Sequence, residues 1–195
     1  TLLVYKHMQT SFADSSLPIE YEQYVDTGTR EFWQQGFRYP NNVYDMHKNM
    51  ALGMFRHGGR YIAGTDCLNS YVLAGFSIHD ELQEMVTAGI PEYDVLKTGT
   101  TNAAEFLKRH QQAGTIEGGK TADLVLLDGN PLEDIGNTRR ISGVMVRGVW
   151  FDQKELSDML EEKVDRIRQV GLSPFPQFCL GQARLLDQRV AGIIA

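Results

Sequence analysis

Cysteine is nearly absent. The 195 residues hold only Cys67 and Cys179, with no CxxC spacing. That excludes a disulfide scaffold and a cysteine-built zinc knot. Basic charge is also in short supply: 19 Lys plus Arg stand against 25 Asp plus Glu, a formal net charge of −6. Nucleic acids and anionic membranes recruit basic surfaces, so neither is expected as a partner. No apolar run reaches the roughly 18 residues that a membrane-spanning helix needs. Two short signatures of dinucleotide and nucleophile chemistry are missing too: there is no GxSxG and no GxGxxG. Gly114 to Thr121, GTIEGGKT, has the GxxxxGKT spacing of a phosphate loop. That stretch leads into a strand, however, where a phosphate loop opens a helix, so it is not read as one. The chain begins at Thr1 without the basic leader of a signal peptide, as a start inside a longer protein would. Cytoplasmic and exported locations both stay open.

What is present is globular in proportion, with 42% hydrophobic and 23% charged residues. The length suits one domain with a small appendage, and falls short of the roughly 250 residues of a complete (β/α)8 barrel. Thr1 to Tyr5 reads as a short buried strand. A helix or two follow within Ile19 to Gln35. Val43, Met46, Met50 and Met54 recur at spacings of three and four, which marks one face of a helix that Gly58-Gly59 ends. Arg60 to Thr65 is a short apolar strand running into Asp66. Ser77, with Asp80 three residues on, predicts a capped helix that stops at Gly89. Pro91 suits the first turn of the next helix. A short helix follows from Ala103 to about Arg109.

The texture then changes. Gly114 to Gly119 is turn-rich, Ala122 to Leu127 and Ile141 to Arg147 read as strands, and Gln153 to Val170 as an amphipathic helix. The alternation of strand and helix before residue 114 is that of a parallel α/β sheet.

The most informative stretch for chemistry is Ala63-Gly64-Thr65-Asp66. An Asp at the carboxyl end of a parallel strand stands where α/β enzymes keep catalytic groups, and the small residues before it leave room for a ligand. Such a carboxylate can bind a divalent cation, accept a proton from water, or do both. The plain alternative is a turn former. Five histidines are spread as His7, His47, His57, His79 and His110, and none forms HxH or HExxH, so no self-contained zinc site is legible. His7 follows the first strand and is a candidate substrate contact. His79 sits in the first turn of its helix, either facing Asp66 or on the surface. His57 is placed to cap a helix C-terminus; His47 and His110 read as solvated. Tyr5, Asn69 and Ser70 are candidate rim contacts. Cys67 has no partner His in evident reach and reads as a small packed thiol.

Four segments together carry a resemblance: AGTDC, SIHDELQEMVTAGIPEYDVLKTGTTNAAEFL, GTIEGGKTADLVLLDGNPLEDI and ISGVMVRGVWF. They closely resemble the C-terminal part of the metal-dependent amidohydrolase superfamily, in its imidazolonepropionase-like and Xaa-Pro dipeptidase-like branch, from about Arg60 to Phe151. The GTIEGGKTADLVLLDGNPLEDI segment is the most specific. The resemblance implies the last strands and helices of a (β/α)8 barrel over 1–113, part of a small β-sandwich over 114–152, and a C-terminal helix and tail over 153–195. It implies one or two divalent metals, commonly zinc. Asp66 would then stand at the end of the eighth strand, ligate a metal, take a proton from the attacking water and pass it to the leaving nitrogen of an amide or peptide. The superfamily's HxH pair, its carboxylated lysine and its two further histidines have no counterpart here. The expectation is therefore a fragment of a hydrolase acting on C–N bonds, inactive alone. The alternative is a non-catalytic α/β remnant that folds by pairing with a missing segment or a second copy.

Overall fold

In a computed structural model of the chain, residues 2–3, 6, 19–34, 42–67 and 69–170 are described. The architecture is mixed α/β, with the helices first and a small sheet after them. The first expected strand is corrected at once: Leu2 and Leu3 are helical. Amides at the start of a helix have no intrahelical acceptor. Those of Leu2 and Leu3 donate instead to the two carboxylate oxygens of Glu81, at 3.1 and 2.9 Å.

Helices α1 (Ile19–Glu22) and α2 (Thr27–Gln34) fill the expected helical region. Asp26 opens α2, accepting from the Thr29 backbone at 3.0 Å and from its hydroxyl at 2.6 Å. Trp33 and Val25 pack with Tyr71 and Leu73 in one buried cluster. Helix α3 (Val43–Arg56) ends in two steps. His57 Nδ1 lies 2.8 Å from the Gly53 carbonyl, which is the capping read from the sequence. Gly58 then takes φ +79°, open to glycine and strained for any side chain.

The methionine face of α3 does not enter the core. Met46, Met50 and Met54 are each about half exposed, whereas Ala51, Leu52 and Phe55 pack inward. Residues 60–66 form no regular element and join no strand among the described residues, a correction to the strand expected over Arg60 to Thr65. Their backbone bonds to helical neighbours instead. Ala63 N–H donates to the Thr98 carbonyl at 3.1 Å, and Asn102 Nδ2 donates to the Tyr61 carbonyl at 3.0 Å.

Helix α4 (Ser77–Thr87) forms without the expected cap. The Ser77 hydroxyl accepts from Leu73 N–H at 2.8 Å and so ties the helix to the preceding loop. Gly89, at φ +97°, closes α4, and α5 (Glu92–Thr98) and α6 (Thr101–Phe106) follow. The main core lies where α3, α4, α5 and a 3-10 turn (Ile135–Arg139) meet. It holds Leu2, Leu82, Met85, Ile90, Val95 and Ile135.

The strand-rich unit is an antiparallel sheet, β1 (Leu124–Leu127), β2 (Ile141–Val146) and β3 (Val149–Asp152), with β2 central. Leu124 faces Met145 and Met145 faces Trp150; Val125 faces Val144 and Val144 faces Phe151. Gly143 is required here, because a Cβ would collide with the Trp150 ring laid across it and meet the Phe151 carbonyl oxygen at 3.0 Å. The sequence reads β1 as a buried run. As an edge strand it leaves Val125 and Leu126 half exposed. Helix α7 (Gln153–Val170) starts with a reciprocal cap. Glu155 N–H donates to the Asp152 carboxylate at 2.8 Å, and Asp152 N–H donates to the Glu155 carboxylate at 2.9 Å. The tail expected beyond residue 170 lies outside the described residues.

Candidate functional site

Asp66 closes the irregular segment 60–66 in a conformation few L-residues adopt, with φ +57°. Asp tolerates that left-handed region better than most side chains do, at a cost of about 1–3 kcal/mol that the surrounding structure must offset. Its carboxylate is exposed and accepts no hydrogen bond or ion pair from the described residues. A Cβ at Gly64 would meet nothing within 4 Å, so the small residues before Asp66 do leave open space. The backbone carbonyl of Asp66, by contrast, is doubly bonded. Asn69 N–H donates to it at 3.0 Å and Asn69 Nδ2 at 3.1 Å. Cys67 packs with Leu3 and Val72, the small packed thiol expected from the sequence.

Asp66, Asn69 and Ser70 therefore share one loop. Tyr5 and His7, the other candidate rim contacts, lie outside the described residues. His79 is turned to a different neighbour: its Nδ1 lies 3.0 Å from Thr138 Oγ1 of the 3-10 turn. Beside it Arg139 pairs with Asp80 and donates to the Tyr21 hydroxyl at 2.9 Å. Burial, reinforced by the Arg139 charge, lowers the His79 pKa to about 4, so this ring is neutral at pH 7.

A neutral, half-buried histidine has a definite pH signature. Its folded pKa lies below the ordinary value of about 6.5, so the unfolded chain binds the extra proton first as pH falls. Stability is then lost between pH 6.5 and about 4. Burial raises the Asp80 and Glu81 carboxyls, which works in the opposite sense and favours the folded state as they protonate. The difference between wild type and His79→Gln isolates the histidine. In urea titrations at pH 7 and pH 4.5, the wild-type midpoint is expected to fall more than that of the variant.

The sequence reading missed a buried acidic pair. Glu81 and Glu84 lie one turn apart on α4, 2% and 3% exposed. Glu81 takes the Leu2 and Leu3 amides, while Glu84 accepts from the Tyr44 hydroxyl and pairs with Lys6. Burial, with the neighbouring Glu84 carboxylate, holds the Tyr44 hydroxyl far above its usual range. The available signal was spacing. Glu81 and Glu84 flank Leu82 and Met85, which are the core residues of the same helix.

A divalent metal needs three or four ligands when zinc is held by protein. Among the described residues no group of three or more His, Cys, Asp or Glu side chains is placed to hold one. The fit is thus partial: Asp66 offers one open carboxylate, and the described residues cannot host the ion by themselves.

Comparison with known proteins then bears on the whole chain. Residues 38–151 match the sequence model of the Amidohydrolase family. No curated protein matches. Among solved structures, a bottromycin amidohydrolase is similar at 25% identity and TM-score 0.65, over 85% of this chain and 39% of that one. An uncharacterized protein is 26% identical with TM-score 0.57, over 78% of this chain and 34% of its own. A Xaa-Pro dipeptidase crystallised with methionine in its active site shares the fold at 24% identity and TM-score 0.53, over 64% and 32%. The chain spans about a third of the length of these structures.

Proposed function

The chain belongs to the amidohydrolase family, and from that premise we propose that it is the C-terminal part of a metal-dependent hydrolase of C–N bonds. In this reading residues 1–113 complete a (β/α)8 barrel, 114–152 supply part of a β-sandwich, and 153–195 form a terminal helix and tail. The observation that carries the proposal is Asp66. It is an exposed carboxylate with no hydrogen-bond or ion-pair partner among the described residues, inside the span that matches the family.

The mechanism assigns to this chain one group and one proton. A bound divalent metal, zinc by family habit, supplies acidification of the attacking water. Asp66 would be one of the residues that hold that ion. Its carboxylate accepts the water proton as the bond to the scissile carbonyl carbon forms. It returns the proton to the leaving nitrogen as the C–N bond breaks, so the carboxylate is regenerated each cycle. Asn69 and Ser70 stand on the same loop, and Tyr5, His7 and His79 are the further substrate contacts proposed. The substrate class is an amide or peptide, with Xaa-Pro dipeptides and cyclic amides first.

The test uses protein expressed from its complete reading frame, with alanyl-proline as the probe. Release of proline, its loss after dialysis against a chelator and its return on adding zinc or manganese are the expected results. Chelator-insensitive hydrolysis contradicts the proposal, as does no turnover of alanyl-proline, other Xaa-Pro dipeptides or a cyclic amide.

A second reading is favoured by the half-exposed Met46, Met50 and Met54 on α3 and by the edge strand β1. An α/β piece with such faces folds by pairing with a further segment or a second copy, without catalysis. Sedimentation of the isolated chain separates the outcomes, since a well-behaved metal-free monomer excludes the paired assembly.

A further inference from the structure

Asp66 is not alone in its strain. Tyr71, five residues on, also takes a left-handed backbone, φ +63° against +57° at Asp66. Strained residues persist where their surroundings over-determine them. Here the far end of the loop is well fixed. Tyr71, Val72 and Leu73 are buried at 7%, 0% and 2% exposure, and Leu73 N–H is held by the Ser77 hydroxyl of α4. Val72 N–H donates to the Asn69 carbonyl at 3.2 Å, which ties Asn69 to that anchor. Asn69 in turn places both its backbone N–H and its side-chain Nδ2 on the single carbonyl oxygen of Asp66. Two donors on one carbonyl fix the plane of the peptide that follows Asp66. The carboxylate itself is untouched by these bonds and stays open. The route runs from the buried anchor, through Asn69, to the backbone that aims the Asp66 side chain.

We propose that Asn69 is a positioning residue, holding Asp66 in its left-handed conformation through the main-chain carbonyl so that the carboxylate is presented to the reacting centre. This differs from a direct substrate contact, and it rests on the reading of Asp66 as the proton carrier. Small displacements of a catalytic group cost rate more than binding. Asn69→Ala removes the side-chain donor. It is expected to lower kcat on alanyl-proline roughly tenfold to a hundredfold with KM within about twofold. Asn69→Ser keeps a hydroxyl able to donate to a carbonyl three residues back, and is expected to retain kcat within about threefold of wild type.

The readout independent of turnover is a crystal structure of Asn69→Ala, in which Asp66 should leave the left-handed region. Asp66 still near φ +57° in that structure overturns the inference, as does a loss confined to KM. A kcat for Asn69→Ser as low as for Asn69→Ala, with its hydroxyl on the Asp66 carbonyl, overturns it too. Asp66→Asn inactive beside Asn69→Ala at the wild-type rate defeats this inference alone. Asp66→Asn at the wild-type rate defeats the functional reading beneath it.

Discussion

Asp66→Asn is expected to lower kcat on alanyl-proline at least about a hundredfold, the least that a proton-transferring carboxylate contributes. The substitution is nearly isosteric, and Asn accepts the left-handed backbone as readily as Asp. The side chain is exposed and has no partner among the described residues, so its loss leaves no buried group unsatisfied. Stability is therefore expected to change by no more than about 0.5 kcal/mol. That separation is what makes the variant informative: rate should collapse while the urea midpoint stays still. Steady-state kinetics beside a denaturation curve check both halves, and a rate within about threefold of wild type removes Asp66 from the chemistry.

The second large effect is on folding. Glu81→Ala is expected to cost about 2–4 kcal/mol, because two amides lose their acceptor and a buried unsatisfied donor costs roughly 1–3 kcal/mol. The Leu2 and Leu3 amides both depend on this one carboxylate, and Glu81 is 2% exposed. A counter-term lowers the figure. Burial raises the Glu81 pKa, which shows that the charged form is partly desolvated, and the Leu3 and Leu2 hydrogen bonds offset only part of this. Removing the carboxylate relieves that desolvation, so the loss falls below the sum for two orphaned donors. Glu81→Gln keeps one acceptor oxygen without the charge and is expected to cost about 1 kcal/mol, near the worth of one hydrogen bond. Urea unfolding of both variants gives the comparison; an Ala variant within about 0.5 kcal/mol of wild type contradicts the role given to Glu81.

Local patterns were the legible part of the fold. The helix periods of α3 and α7 and the stops at Gly58 and Gly89 were readable, because each is set by near neighbours. What depends on distant partners was not. Leu2 and Leu3 look like strand residues by composition, yet Glu81, 79 and 78 positions away, accepts their amides at the start of a helix. Arg60 to Thr65 has strand composition, but its backbone is bonded by Thr98 and Asn102. The methionine face of α3 shows the same limit, since periodicity locates an apolar face without saying which face is covered. At the site, the small residues and the Asp were legible. The left-handed backbone at Asp66 and the double bond from Asn69 were not, because both belong to the shape of the loop.

Protonation of the leaving nitrogen by Asp66 is tested most directly by changing the leaving group. A prolyl nitrogen must be protonated to depart, whereas a p-nitrophenolate does not need the proton. The loss caused by Asp66→Asn is thus expected to be at least about tenfold smaller on alanine p-nitrophenyl ester than on alanyl-proline, since general acid help is worth most to the poorest leaving group. An equal loss on the two substrates would contradict proton delivery by Asp66.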